Sequence, residues 1–257
     1  MLLMVPGDSN IPTKLIFALR NAKRVTALTG AGLSAESGVP TFRDAQTGLW
    51  AQYDPQELAT PQAFRQNPQL VWEWYTWRKE LISAAEPNPG HFALTKLENM
   101  VPSFTLITQN VDGLHQAAGS QSLIELHGNI FRTKCFQEDT IVDSWNENGS
   151  IPPRCSNCGG MLRPDVVWFG ESLQREALSA AQDYAQSCDV FLSIGTSTLV
   201  EPAASLPFLA LQSGASVVEI NTQQTPLSPQ AHVVIQASAG KALPVLVQAI
   251  SNWSTNK

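Results

Sequence analysis

The chain has 257 residues, of which 43% are hydrophobic and 15% are charged, and its formal net charge at pH 7 is −6. This length and composition predict a globular protein with one large domain, or one domain with a smaller insert. The acidic balance argues against broad binding to nucleic acid or to anionic membranes. No apolar run is long enough to span a bilayer and the N-terminal residues lack a signal-peptide pattern, so we expect a cytoplasmic location.

The first distinctive segment is a glycine-rich turn. Apolar residues 25–29 predict a buried strand, and the small residues within 30–35 have the spacing of a dinucleotide-binding turn, in which backbone amides approach a pyrophosphate. Taken alone, the segment is equally an ordinary tight connection, with Ser34 predicted to cap the next helix. A dehydrogenase would continue with a second strand that ends in an acidic residue. This chain continues with loop residues 40–44 instead, which disfavours hydride transfer.

Short apolar runs alternate with helix-like stretches along the chain. The runs that predict strands are 25–29, 104–108, 123–126, 166–169, 190–194, 217–220 and 233–235. The helix-like stretches are 92–100, 173–187, 203–212 and 241–253. This alternation predicts an α/β fold with a Rossmann-like, doubly wound parallel sheet, in which ligands bind at the carboxyl ends of the strands. The residues expected at those ends are Gly30, Asn110, His127, Gly195, Thr196, Ser197 and Asn221.

Two segments break this alternation. The first, from about residue 44 to 90, is rich in tryptophan and helical in pattern, and the second, from about 131 to 164, carries three of the four cysteines with little periodicity. The apolar stripe predicted for the first segment consists of Leu70, Trp74, Trp77 and Leu81. We therefore expect a Rossmann-like dinucleotide-binding domain and a small inserted domain with a helical module and a cysteine-bearing module. The expected ranges are 1–44, 91–130 and 165–257 for the first domain, and 45–90 and 131–164 for the second.

Polar side chains follow two of the predicted strands directly. The run Gln109-Asn-Val-Asp112 comes after the strand 104–108, and His127 comes after the strand 123–126. As isolated residues, such amides and carboxylates are equally often turn formers, and a lone histidine at a strand end is more often structural than catalytic. Their shared position beside the glycine-rich turn favours a functional site.

Five motifs, in this order, resemble the signature set of the sirtuin family. They are Gly30-Ala-Gly-Leu-Ser-Ala-Glu-Ser-Gly-Val-Pro-Thr-Phe-Arg43, Thr108-Gln-Asn-Val-Asp-Gly-Leu-His115, Glu125-Leu-His-Gly128, Val167-Trp-Phe-Gly-Glu171 and Gly195-Thr-Ser197. The resemblance covers nearly the whole chain. It implies removal of acyl groups from protein lysines with NAD as co-substrate, which gives free lysine, nicotinamide and O-acyl-ADP-ribose.

The resemblance also implies roles for individual residues. His127 would be the general base and Asn110 a second catalytic residue, while Asp112 would hold the nicotinamide carboxamide. The residues implied to bind NAD are Gly30, Ala31, Gly32, Ser34, Ala35, Phe42, Arg43, Gln109, Asn110, Val111, Asp112, Gly195, Thr196, Ser197, Asn221 and Ala239. The peptide substrate is expected to add as a strand between Val167–Gly170 and the segment before Pro202.

Tyr75 and Arg78 are three residues apart on the predicted insert helix and therefore share a face beside the apolar stripe. From spacing alone they are equally well a solvated surface pair. The sequences Leu58-Ala-Thr-Pro61 and Trp72-Glu-Trp-Tyr-Thr-Trp-Arg78 are similar to the class III sirtuin subgroup, in which a Tyr-x-x-Arg pair recognises an acidic acyl group. A guanidinium holds a carboxylate through two parallel hydrogen bonds, a phenol adds a third, and small Ala59 leaves room for the acyl chain.

The resemblance therefore implies a deacylase for succinyl- and malonyl-lysine, with acetyl-lysine retained as a substrate to an extent that the sequence does not set. The expected substrate-binding residues are Tyr75, Arg78, Ala59, Val167, Phe169 and Gly170. The expected partners are acylated lysines of proteins, with no nucleic acid and no membrane. The alternatives left open are an enzyme that acts mainly as a deacetylase, a protein ADP-ribosyltransferase and a non-catalytic NAD sensor.

The cysteines indicate a metal site with an incomplete ligand set. Cys155-x-x-Cys158 has the spacing of half a zinc knuckle, and four cysteines in so long a chain fit a reduced compartment better than a disulfide framework. The family pattern supplies a second pair upstream, but here Cys135 has no second cysteine near it. Either Glu138 or Asp139 supplies an oxygen ligand, or the site has decayed into a packed loop. The fourth cysteine, at position 188, is expected in the core.

Overall fold

The computed structural model describes residues 2–4, 11–40, 52–146 and 149–252. The helices are α1 (Thr13–Asn21), α2 (Ala31–Ser34), α3 (Pro55–Leu58), α4 (Pro61–Gln66), α5 (Pro68–Ser83), α6 (Pro89–Glu98), α7 (Leu114–Ala117), α8 (Arg175–Ser187), α9 (Leu206–Gln212) and α10 (Ala239–Asn252). The strands are β1 (Leu2–Met4), β2 (Arg24–Thr29), β3 (Ser103–Thr108), β4 (Leu123–Glu125), β5 (Gly128–Cys135), β6 (Leu162–Val166), β7 (Val190–Ile194), β8 (Ser216–Ile220) and β9 (Val233–Ile235).

Seven of these strands form one sheet in the order β1-β9-β8-β7-β2-β3-β4, and every neighbouring pair is parallel. Helices α1, α6 and α10 pack on one face, while α8 and α9 pack on the other. Successive strand residues alternate between these two cores; Phe191 packs in the α8–α9 core and Leu192 in the opposite one. Burial on both faces explains why the strands are continuous apolar runs in the sequence. The predicted doubly wound parallel sheet is confirmed.

Four helices begin at the same local signal, a capping side chain followed by proline. The pairs are Asp54-Pro55, Thr60-Pro61, Asn67-Pro68 and Asn88-Pro89. Each capping side chain accepts a hydrogen bond from a backbone N–H in the first turn, and the proline has no N–H to leave unpaired there. These signals set the starts of α3, α4, α5 and α6. Within the part of the chain described, no helix is both long and apolar enough to cross a membrane.

A second, smaller core lies beside the parallel sheet, as predicted. Helices α4 and α5 pack with the antiparallel pair β5–β6 around buried aromatic side chains such as Phe64, Trp74 and Trp168. We propose the ranges 45–90 and 131–164 for this small unit, although the pair β5–β6 extends slightly past the second range.

The buried face of α5 differs from the predicted stripe. The residues of α5 that are buried are Val71, Trp74, Tyr75, Arg78 and Ile82, whereas Leu81 is 43% exposed. The prediction was wrong because it counted only apolar residues. The buried face of this helix includes a phenol and a guanidinium, which shift it by about one residue from the apolar stripe.

Two other local predictions, on the segment 166–169 and on Ser34, were wrong. The segment 166–169 is not a strand of the parallel sheet; β6 ends at Val166 and pairs antiparallel with β5. The cysteine-bearing segment contains most of β5 and β6, although its sequence has little periodicity. Ser34 ends α2 and makes no helix-capping hydrogen bond, because its hydroxyl accepts one from Asn110 Nδ2 instead.

Candidate active site at the carboxyl edge of the sheet

A cavity of about 840 Å³ opens where β2, β3, β7 and β8 end. This volume lies within the range of small-molecule sites in proteins. The predicted NAD-binding residues that line it are Gly30, Ala31, Gly32, Ser34, Gln109, Asn110, Val111, Asp112, Gly195, Thr196, Ser197 and Asn221. His127 and the predicted substrate residues Ala59, Arg78, Val167, Phe169 and Gly170 line the same cavity.

Some predicted residues lie elsewhere. Ala35, Tyr75 and Ala239 are not among the residues that line the cavity; Tyr75 lies on α5 one turn before Arg78, which does line it, and Ala239 is buried at the start of α10. Its neighbour Gly240 donates its N–H to Glu36, which ties α10 to the glycine-rich turn. Phe42 and Arg43 fall outside the residues that the structure describes.

Two glycines of the turn after β2 pack against the backbone of Gly195. The Gly32 N–H donates to the Gly195 carbonyl oxygen at 2.8 Å. A Cβ added at Gly30 would lie 2.9 Å from that oxygen, and one added at Gly32 would lie 2.8 Å from it. Only glycine permits so close an approach, and the turn keeps its backbone beside the cavity. The Gly30 N–H donates to the Ile194 carbonyl oxygen at 3.0 Å, so the N–H groups of both glycines are used within the protein.

Side chains that follow β3 and β8 hold the loop that follows β7. Gln109 Nε2 donates to Thr196 Oγ1 at 2.9 Å, and Asn221 Nδ2 donates to the Thr196 carbonyl at 2.8 Å. The loops at the ends of three strands therefore form one connected wall of the cavity.

Asn110 and Asp112 are joined through Ser34. Asn110 Nδ2 donates to Ser34 Oγ at 2.9 Å and to the Gly30 carbonyl at 3.1 Å. The Ser34 hydroxyl hydrogen-bonds to the Asp112 carboxylate, which also accepts the Leu114 N–H. Burial raises the pKa of Asp112, and these two hydrogen bonds oppose that rise. The glycine-rich turn and the loop after β3 are thereby fixed to each other.

His127 has a defined tautomer. Its Nδ1 lies 2.9 Å from the Gln109 carbonyl oxygen, which can only accept, so Nδ1 carries the proton. Nε2 is then left as the basic atom. Burial holds the pKa of His127 below its ordinary value of 6.5, and the hydrogen bond to Gln109 opposes this. The ring is therefore neutral at pH 7 and able to accept a proton.

Tyr75 and Arg78 are both buried, so the interpretation as a solvated surface pair is wrong. They are 3% and 5% exposed, and the Arg78 guanidinium carbon lies 5.2 Å from the centre of the Trp74 ring. Trp168 lies beside the phenol, yet neither Tyr75 Oη nor Trp168 Nε1 has a hydrogen-bond partner of normal geometry among the described residues. Burial raises the pKa of Tyr75 and lowers that of Arg78. The phenol therefore stays protonated and is a hydrogen-bond donor.

Most N–H groups of the segment 167–170 are already used. Val167 donates to the His127 carbonyl and Phe169 to the Ala59 carbonyl, both at 2.9 Å. Trp168 N–H donates to the Glu171 carboxylate at 2.8 Å. A peptide that pairs with this segment must therefore use its carbonyl groups and the N–H of Gly170.

Sequence reasoning missed several residues that line the cavity. They are Val39, Pro40, Ile82, Val166, Trp168, Glu171, Leu173, Leu199, Val200, Glu201, Pro202 and residues 222–226. Residues 222–226 directly follow the predicted strand 217–220, and this position could have identified them as part of the site. Leu199 and Val200 belong to the segment before Pro202, which was expected to border the peptide strand, although they were not predicted individually.

The cysteine cluster lies in the small unit, outside the cavity. Sulfur atoms of Cys135, Cys155 and Cys158 and a carboxylate oxygen of Glu138 all lie within 4.8 Å of one another. Three sulfurs and one oxygen at this separation fit a tetrahedral zinc ion. Asp139 pairs with Lys134 Nζ at 2.7 Å instead. Cys188 is buried in the α8–α9 core, as predicted.

Comparisons with known proteins agree with this geometry. The sequence model described as "Sir2 family" matches residues 30–202. The chain is 53% identical over 225 residues to an NAD-dependent protein deacylase of Aquifex aeolicus, covering 84% of this chain and 91% of that protein. It is 51% identical to NAD-dependent protein deacylase 2 of Pyrobaculum aerophilum, covering 90% of this chain and 93% of that one.

Solved structures give the same result. A crystal structure of a Sir2 homologue in complex with NAD is 43% identical, covers 94% of both chains and has a TM-score of 0.87. The sirtuin resemblance is thus confirmed, and NAD is the cofactor of this fold. The chain belongs to the Sir2 family of NAD-dependent protein deacylases.

Proposed function

We propose that this protein removes succinyl and malonyl groups from lysine side chains of proteins and transfers them to ADP-ribose derived from NAD. The deacylase activity of its relatives supports the general reaction. A mutated Sir2 homologue, 43% identical with a TM-score of 0.87, was solved in complex with 2'-O-acetyl ADP ribose. This complex supports an O-acyl-ADP-ribose product.

We assign NAD to the part of the cavity bounded by the glycine-rich turn and by the loops after β3, β7 and β8. NAD supplies the ribose that releases nicotinamide and receives the acyl group. The turn at 30–32 would bind the pyrophosphate, and Asp112 the nicotinamide carboxamide. Thr196, Ser197 and Asn221 would contact the phosphate and ribose groups.

His127 would take a proton through Nε2 during acyl transfer. The Gln109 carbonyl keeps the proton on Nδ1, so the base does not need to change tautomer. Both amide hydrogens of Asn110 have acceptors within the protein, at Ser34 and Gly30, which leaves its Oδ1 to accept from a ligand. We therefore assign His127 as the general base and Asn110 as the residue that orients the reacting ribose or water.

The single observation that carries the acyl preference is the buried Tyr75 hydroxyl, which has no hydrogen-bond partner among the described residues and lies near the buried Arg78 guanidinium. A buried hydroxyl without a hydrogen bond is costly, and a carboxylate would accept from it and from the guanidinium together. Ala59 lines the same side of the cavity and is small enough for a longer acyl chain to pass. The carboxylate of a succinyl or malonyl chain would accept hydrogen bonds from the Tyr75 hydroxyl and the Arg78 guanidinium, and the chain would pass beside the small side chain of Ala59.

Zinc would be held by Cys135, Glu138, Cys155 and Cys158 and would link the end of β5 to the 155–158 turn. Its contribution there is structural, because His127 and the cavity belong to the opposite end of β5.

The proposal is tested by mass spectrometry of the products formed with NAD and matched acetyl-, succinyl- and malonyl-lysine peptides. Arg78→Met is expected to reduce kcat/KM for succinyl-lysine by about 10- to 150-fold, because a charge-assisted hydrogen-bonded contact contributes about 1.5–3 kcal/mol. Tyr75→Phe should reduce it by about 10-fold. Acetyl removal should change little in both variants.

Lys79→Met is the matched control, because Lys79 lies on the same helix but over the Phe131 ring and does not line the cavity. It should leave all three activities unchanged. If only acetyl-lysine reacts and Arg78→Met is indifferent, the protein is an ordinary deacetylase. If labelled ADP-ribose appears on the peptide instead, it is an ADP-ribosyltransferase.

A further inference from the structure

Arg163 and Glu171 form a partly buried ion pair beside the cavity, which Glu171 lines. Arg163 Nη1 lies 2.5 Å from Glu171 Oε1, and Nη2 lies 2.9 Å from Oε2, so the contact is bidentate. The side chains are 3% and 24% exposed. The guanidinium carbon also lies 3.3 Å from the centre of the Trp168 ring. A planar guanidinium held on two sides in this way has little freedom to move.

The same pair ties together the backbone of the segment 166–171. Glu171 Oε2 accepts the Trp168 N–H at 2.8 Å, and the Glu171 N–H donates to the Trp168 carbonyl at 3.0 Å. Arg163 Nη2 donates to the Val166 carbonyl at 2.6 Å. Gly170 has φ of +86°, which closes the turn and favours glycine at this position. One ion pair thus fixes both ends of this short segment.

The fixed segment connects two parts of the proposed site. Val167 donates its N–H to the carbonyl of His127, and Phe169 donates to the carbonyl of Ala59. His127 is the proposed base, and Ala59 lies on the proposed acyl side of the cavity. A shift of the segment would therefore change the position of a bound peptide relative to both.

We propose that Arg163 and Glu171 are positioning residues, which hold the segment 167–170 as a preformed edge for the backbone of the acylated peptide. A preformed edge lowers the entropy lost when the peptide binds. This inference rests on the proposed deacylase function but not on which acyl group is preferred. It assigns to the pair an effect on peptide binding and none on NAD.

The test is Glu171→Gln, which keeps the shape of the side chain and an oxygen for the Trp168 N–H but removes the charge that holds Arg163. KM for the peptide is expected to rise about 10-fold or more, by the same factor for acetyl- and succinyl-lysine peptides. KM for NAD should stay within about twofold. Arg163→Lys should act in the same direction, because an ammonium cannot form the two parallel hydrogen bonds.

Arg132→Gln is the control, because Arg132 also forms ion pairs in the small unit, with Glu125 and Asp165, but does not contact the 166–171 segment through them. It should leave KM for the peptide unchanged. The inference is overturned if Glu171→Gln lowers only the melting temperature, if it raises KM for NAD equally, or if Arg132→Gln has the same effect.

Binding of fluorescently labelled acetyl- and succinyl-peptides is measured by anisotropy on the same proteins, so the result does not depend on turnover. If the unaltered protein binds and deacylates only acetyl peptides, the acyl preference proposed above fails, while the acetyl data still decide the role of Glu171. If Glu171→Gln binds either peptide as tightly as the unaltered protein, the positioning role is wrong.

Discussion

At the scale of single residues, burial decides what a polar side chain can do. The spacing of Tyr75 and Arg78 places them on one face of a helix, but it does not determine whether that face is exposed to solvent. The structure buries both, and within the described ranges the phenol next to this guanidinium has no hydrogen-bond partner. The same pair on a solvated face would have no selectivity for an acid, because water competes for both groups.

Burial of His127 gives a prediction for the pH dependence of the reaction. Its pKa lies below 6.5, so the neutral, basic form prevails at pH 7 and is lost only as the pH falls through the lowered pKa. We expect kcat/KM to stay level down to about pH 6.5 and to fall below it, approaching tenfold per pH unit. Measured pH–rate profiles with saturating NAD check this.

His127→Ala is the control for that profile. It should abolish deacylation and leave NAD binding, measured by calorimetry, largely intact. If kcat/KM already falls at a pH well above 6.5, or if His127→Ala still removes acyl groups, His127 is not the general base.

At the scale of elements, the cysteine cluster lies on the connection between β5 and β6. It joins Cys135, the last residue of β5, to the turn 155–158, and the N–H groups of Asn157 and Cys158 point at the Cys155 sulfur. The segment between the strands has little regular structure and few apolar residues to pack. A metal ion is an efficient way to hold such a segment.

We predict that Glu138 supplies the fourth metal ligand. Glu138→Ala should lower zinc affinity by at least about 10-fold, because even residues that only support a ligand change affinity by that much. Glu138→Cys should raise it by completing four thiolates. Affinity is measured by competition with a chelating dye, and cobalt spectra report the number of sulfur ligands.

Asp139→Asn is the matched control, since Asp139 pairs with Lys134 and should not affect zinc affinity. If Glu138→Ala binds zinc as tightly as the unaltered protein, Glu138 is not a ligand. Removal of zinc is expected to lower the melting temperature more than it lowers kcat.

At the scale of the whole molecule, two buried histidines make folding sensitive to acid. His91 on α6 and His115 on α7 have ring centres 4.9 Å apart, and His115 Nε2 lies 2.9 Å from Thr29 Oγ1 on β2. His91 Nδ1 accepts the Asn88 N–H in the capping box of α6. Burial lowers the pKa of His91 to about 4 and that of His115 to about 3, so both are neutral in the folded protein.

The sign of the resulting pH effect follows from these values. Unfolded histidines titrate near pH 6.5, so below that pH the unfolded chain binds protons that the folded chain does not. The free energy of unfolding should be level above about pH 7 and fall by about 4 kcal/mol between pH 7 and pH 5 from this pair, at 1.36 kcal/mol per pKa unit for each group. Urea unfolding across this range measures the fall.

His91→Gln is the control for the pair, because glutamine also completes a capping box but does not titrate. It should reduce the slope of stability against pH by about one proton. His127, whose pKa is also lowered, adds to the slope in both proteins. Stability that stays level down to pH 5 would contradict neutral, buried histidines.

The sequence by itself determined the parallel sheet and most of the residues on the side of the cavity that we assign to NAD. Continuous apolar runs identify strands that are buried on both faces, and the residues at their carboxyl ends are adjacent in space whatever the details of the loops. The turn at 30–35, the run 109–112 and His127 were therefore found from their positions after strands. The five motifs, which cover all of these residues, specified the family.

Only the tertiary structure decided which faces and atoms are used. The buried face of α5, the choice of Glu138 over Asp139 and the contact of Arg163 with Glu171 each join residues through packing between separate elements. The spacing of residues along the chain predicts which side chains share a face of a helix or strand. Their burial and their hydrogen-bond partners depend on residues from other elements that pack against that face. The starts of α5 and α6 follow from a local signal, a capping asparagine before a proline, at Asn67 and Asn88. The proposed acyl side of the cavity could be identified only from the fold.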